Sequence, residues 1–67
     1  MSTLYQKVAN DIALDINQGV YLAGQKVPSV RNLAKIKTVS ISTITQAYAL
    51  LEDQGYLTAR PQSGYYV

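Results

Sequence analysis

Between Val39 and Tyr56 the chain reads VSISTITQAYALLEDQGY, and its apolar residues fall at helical spacing. Ile44, Ala47, Tyr48 and Leu51 recur at i, i+3, i+4 and i+7, which is one stripe of a 3.6-residue period. Ser42, Thr45, Gln46 and Ala49 take the opposite side, and no charge interrupts that side before Asp53. A solvated helix face usually carries Lys and Glu. Small hydroxyls, an amide and methyl groups are instead the kinds of side chain that meet base edges and phosphates in a DNA major groove. The pattern predicts a recognition helix over 40–54, capped by Ser40 and ended by Gly55.

The same periodicity predicts two earlier helices. Thr3-Leu4-Tyr5-Gln6 fits a capping box, and Tyr5, Val8, Ala9, Ile12 and Ile16 follow at helical spacing up to Gly19. Asp11 and Asp15 lie on the outer side, so this first helix reads as a support. Gly24 supplies a turn, Gln25-Lys26-Val27 is long enough for one short strand, and Pro28 fixes the backbone before the N-cap Ser29. In the second helix Val30, Leu33, Ala34 and Ile36 are expected to face inward, with Arg31 and Lys35 four apart outside. Lys37 to Val39 would then link the second helix to the third, as in a helix-turn-helix.

After Gly55 the period changes. Tyr56-Leu57-Thr58-Ala59-Arg60 and Tyr65-Tyr66-Val67 read as strands around the turn residues Pro61-Gln62-Ser63-Gly64. A hairpin over 57–67 directly behind a recognition helix is a wing. One of Tyr65 and Tyr66 should enter the core, since neighbouring strand residues face opposite ways. The expected fold is mainly α with a small β-hairpin: a winged helix-turn-helix of three helices and a two- to three-stranded wing sheet.

Composition narrows the chemistry. Sixty-seven residues make one small domain, and 48% apolar residues are too many for a disordered chain. Cys and His are both absent, which removes disulfides, zinc-finger sites and thiol or imidazole catalysis. The only acids are Asp11, Asp15, Glu52 and Asp53, and they suggest no acid/base pair. Glu52 and Asp53 read as solvated residues at a helix end. No enzyme, catalytic residue or metal site is expected, and no apolar run approaches the roughly 18 residues of a membrane span. Net charge is +2, carried by the second part of the chain. Lys26, Arg31, Lys35, Lys37 and Arg60 oppose only Glu52 and Asp53 there, as a phosphate footprint around the reading helix should.

The segments LYQKVANDI, GVYLAGQKVPSVRNLA, VSISTITQAYALLEDQGYL and ARPQSGYYV together resemble the N-terminal DNA-binding domain of the GntR family of bacterial transcription regulators. VSIS and ARPQSGYYV are most similar to its MocR-type branch, in which a linker joins the winged domain to a large aminotransferase-like domain that binds pyridoxal phosphate; the alternative is a shorter GntR branch with a small helical dimerisation tail. The resemblance implies that residues 1–67 are the N-terminal part of a longer, cytoplasmic, homodimeric regulator bound to a double-stranded DNA operator. It also implies the contacts. Arg31, which follows the Pro-Ser pair, meets phosphate or base. Ser40, Ile41, Ser42 and Thr43, with Thr45 and Gln46 further along, face the major groove, and Gly64 with its neighbours forms the wing tip. The chain departs from the family at three places. Ile41 stands where many members have Arg, exchanging a guanine contact for a thymine-methyl contact. Lys37-Thr38 replaces Leu-Gly in the turn, with Ile36 expected to supply the missing core group, and Gln62 replaces a wing glycine.

Within the DNA-binding reading, Arg31, Lys35, Lys37 and Arg60 are expected to place the domain on phosphates. Ser42, Thr45 and Gln46 would read bases, and Arg60, Gln62, Ser63 and Gly64 would lie over the backbone or minor groove. The alternative is a winged-helix protein-interaction module, which would carry apolar or acidic residues on the outward face of the third helix. Only Ile41 and Ala49 lean that way. Leu14 and Leu50 are expected at the surface, as lone leucines or as apolar contacts.

Overall fold

The computed structural model describes residues 3–67. Three helices, α1 (Leu4–Asn17), α2 (Val30–Lys37) and α3 (Ile41–Asp53), precede an antiparallel hairpin of β1 (Thr58–Arg60) and β2 (Gly64–Tyr66). Each helix starts where the sequence offers a side-chain oxygen to its unpaired N–H groups. Thr3 accepts from the Gln6 N–H while Gln6 accepts from the Thr3 N–H, Ser29 accepts from Asn32, and Ser40 accepts from Thr43. Gly19 and Gly55, with φ of 81° and 85°, follow the C-caps of α1 and α3.

The expected stripe on α3 is the centre of the core. Ile44, Ala47, Tyr48 and Leu51 are fully buried against Val8, Ala9 and Ile12 of α1 and Leu33 and Ala34 of α2. Val27 and Leu57 complete this core from the two segments beside the wing. Ile36 corrects the expectation, because it is 69% exposed. One turn of α2 already buries Leu33 and Ala34, and two positions further on the helix has rotated Ile36 to the outside. Leu50 is also corrected: it is half-buried against the core, whereas Leu14 is exposed as expected.

The turn keeps the left-handed residue that the family's glycine would supply. Thr38 has φ 56° and ψ 48°, and its N–H donates to the carbonyls of Ala34 and Lys35. A β-branched residue pays steric strain there. Thr38→Gly should therefore raise thermal stability, by about 1 kcal/mol after the extra chain entropy of glycine is deducted. A lower melting temperature by circular dichroism would refute this.

The hairpin pairs Thr58 with Tyr66, Ala59 with Tyr65 and Arg60 with Gly64. The expected strand at 25–27 is present as a single bridge, Lys26 to Tyr66, flanked by bonds from the Val27 N–H to Tyr65 and from the Val67 N–H to Gln25. The register settles the two tyrosines. Tyr65 turns inward and meets Tyr48 edge-on, with ring centroids 4.9 Å apart, and Tyr66 takes the outer side.

Candidate nucleic-acid interface

Tyr48 sets the pose of the reading helix. Its ring is fully buried, and its hydroxyl donates to the Pro28 carbonyl at 2.6 Å, which ties the middle of α3 to the entry of α2. Burial, reinforced by the neighbouring Tyr21 and Tyr65, holds this phenol well above the usual tyrosine range, so it stays a donor.

The polar face expected to read bases is exposed along Ile41, Ser42, Thr45, Gln46 and Ala49, with Thr43 half-buried. At its head the hydroxyls bind one another. Ser40 Oγ lies 3.1 Å from Ser42 Oγ and 2.8 Å from Thr43 Oγ1 while accepting the Thr43 N–H. Thr45 Oγ1 donates to the Ile41 carbonyl at 3.0 Å. Gln46 carries no side-chain hydrogen bond among the described residues and shares an open groove with Tyr5, Ala49, Leu50 and Asp53.

Arg31 and Lys35 come together with Ser40 and Ile41 around an open concavity where α2 meets the start of α3, floored by Ala34 and Val39. Both cations are exposed. Lys37 is not part of this group. Its Nζ lies 3.9 Å from Asp11 Oδ2, and it lines a separate groove with Leu4, Val8 and Ile36 between α1 and α2. Two positions after Lys35 the helix has turned it toward α1, where the sequence had suggested no partner.

On the wing, the Arg60 guanidinium lies 4.5 Å from the centroid of the Tyr66 ring, and the Ser63 hydroxyl hydrogen-bonds the Tyr66 hydroxyl. Tyr66 thus braces two of the expected wing residues, a role the sequence did not disclose. The tip runs through Gln62 at φ 63°, with the Ser63 N–H donating to the Arg60 carbonyl. Proline second and a left-handed residue third is the arrangement of a type II turn, in which the family's glycine fits without strain. Lys26, counted above in the basic footprint, lies beside the wing. It pairs with the wing, and its side chain packs so close to Gly64 that a Cβ there would lie 2.9 Å from Lys26 Cε. Glu52 is exposed at the end of α3 as expected, and its Oε2 also accepts the Ala59 N–H of the wing at 3.3 Å.

Among the described residues no group of His, Cys, Asp and Glu could hold a metal ion, and no helix is long and apolar enough to cross a membrane.

Three helices, a turn locked between the second and third, and a braced hairpin behind the third define a winged helix-turn-helix domain. Residues 4–67 match the bacterial regulatory proteins of the gntR family, and the chain belongs to that family. It is 49% identical over 65 residues to the HTH-type transcriptional regulator YjiR of Escherichia coli (strain K12), and 44% identical over 64 residues to the Exu regulon transcriptional regulator of the same organism. These alignments cover 97% and 96% of the chain but only 14% and 25% of the two relatives. The fold superimposes with a TM-score of 0.94 on the AraR DNA-binding domain in complex with operator ORX1, at 36% identity, covering all of this chain and 81% of that one. The Sulfolobus acidocaldarius GntR-family factor YtrA matches at TM-score 0.92 and 32% identity, over 98% of this chain and 69% of that one. The matched family is one of regulatory proteins, not of enzymes.

Proposed function

We propose that this chain is the sequence-specific DNA-binding head of a bacterial transcription regulator, with α3 in the major groove and the wing on the adjacent backbone or minor groove. The observation that carries the reading is the exposed, uncharged face of α3, with Arg31 and Lys35 beside its start and a wing bearing Arg60 following its end. The similarity to a domain crystallised on its operator supports it. Phosphate contacts from Arg31, Lys35 and Arg60 set register, and base contacts come from the exposed face of α3.

Gln46 is the residue free to make a bidentate contact with adenine, and such a contact is worth roughly 1–3 kcal/mol of discrimination. The test is selection from random-sequence duplexes. Wild type should enrich a short motif, and Gln46→Ala should lose the preference at one position while keeping the rest. An unchanged motif would remove Gln46 from the reading, and no binding at about 50 mM salt would favour a protein-interaction module instead.

The proposal extends to a cytoplasmic homodimer of the MocR type, with a pyridoxal-phosphate-binding domain beyond this chain. The small share of YjiR that the chain spans supports a large second domain in such proteins. Dimerisation would present two heads to two half-sites and supply most of the useful affinity.

A further inference from the structure

The hydroxyl of Thr45 has spent its proton. It donates to the Ile41 carbonyl four residues back, so it keeps acceptor lone pairs but offers no hydrogen to a base acceptor. Ser42 Oγ pairs with Ser40 Oγ at 3.1 Å, a contact in which either hydroxyl can donate. What α3 presents along this side is aliphatic. Ile41 is 51% exposed, Thr45 follows one turn later with its methyl, and Ala49 follows one turn after that, also exposed. Residues four apart lie on one helix face, so the three form a ridge beside Gln46. An apolar ridge is an unusual feature to hold in water at the front of a helix whose remaining groups are polar.

In the major groove the thymine C5 methyl is the one apolar group among the base edges. Guanine O6 and N7 set against the ridge would lose water without gaining a donor, which is costly. Resting on the DNA-binding function proposed above, we propose that Ile41, Thr45 and Ala49 read thymine through its methyl group, so that part of the domain's specificity is for the methyl and not for a hydrogen-bond pattern. Gln46, next to the ridge, then selects adenine in the same A·T-rich stretch.

Deoxyuridine tests this directly, because it differs from thymidine only by that methyl. In the duplex selected by the chain, each thymine is replaced in turn and affinity is measured at fixed salt. One to three adjacent thymines should each lose about three- to fivefold on replacement, the cost of removing one buried methyl, and the others nothing. Thr45→Ser keeps the hydroxyl and removes the methyl, so it should abolish the thymine-over-uracil preference at one of these positions. Thr45→Val keeps a methyl and removes the hydroxyl, and should retain that preference. Equal affinity for thymine and uracil throughout would overturn the proposal and leave the domain a DNA reader, as would the opposite behaviour of the two variants. Failure to bind any duplex would remove the DNA-reading function, and the thymine reading with it.

Discussion

Tyr48→Ala should remove about 5 kcal/mol, half or more of the stability of the domain. A domain of this length has a stability of roughly 3–10 kcal/mol, and deleting a large buried aromatic costs about 3–5 kcal/mol. Tyr48 stands at the top of that range for structural reasons. Its ring is wholly buried, it supplies the edge-on partner of Tyr65, and it donates to the Pro28 carbonyl, so the loss reaches α3, the wing and the entry to α2 together. Tyr48→Phe keeps the ring and strands only the carbonyl, and should cost about 1–2 kcal/mol.

The same pair of variants carries a pH signature. The folded phenol titrates well above its unfolded value, so the protein prefers it protonated. Below about pH 10 both states hold the proton and the contribution is whole. As pH rises past that value the unfolded state ionises first, and stability falls by about 1.4 kcal/mol per pH unit until the folded value is reached. Tyr48→Phe should lack this component. Melting curves between about pH 8 and pH 11 would check it, and an unchanged alkaline slope in the variant would locate the titration elsewhere.

The second large effect is on binding. Arg31→Ala should weaken every duplex about tenfold, and the logarithmic salt slope should become shallower by about one unit, because one phosphate contact and its released counterion are lost. Arg31 sits at the rim of the concavity shared with Lys35, Ser40 and Ile41, where α2 should cross the backbone. Lys37→Ala is the control. Its ammonium faces Asp11 between α1 and α2, so its slope should stay close to wild type. A specificity change confined to one base after Arg31→Ala would make Arg31 a base reader instead.

Most of the fold was legible because its signals are local. The stripe on α3, the three capping residues and the glycines after α1 and α3 are written in neighbouring positions, and the structure places each as expected. Ile36 was misplaced because α2 buries one turn only, and a short helix has too few positions for periodicity to fix its inward arc. The partners of Lys37 and Lys26 come from distant segments, and that of Glu52 lies across the turn into the wing, so no spacing rule reports them. Tyr65 and Tyr66 needed the strand register before their sides could be assigned. On the candidate interface, residue types and face were readable, but which hydroxyls are already occupied was not. The Thr45 bond to Ile41 appears only once the rotamer is known.

The bridge between Lys26 and Tyr66 joins the stretch before α2 to the last strand, so a single pairing closes a long loop that holds α2, α3 and the hairpin turn. Such a contact costs closure entropy that only the packed helices can offset. The wing should therefore assemble after the helical core and open before it. In hydrogen exchange the amides of Val27 and Val67 should lose protection together, well ahead of those inside α3, and binding of a duplex across the wing should slow both.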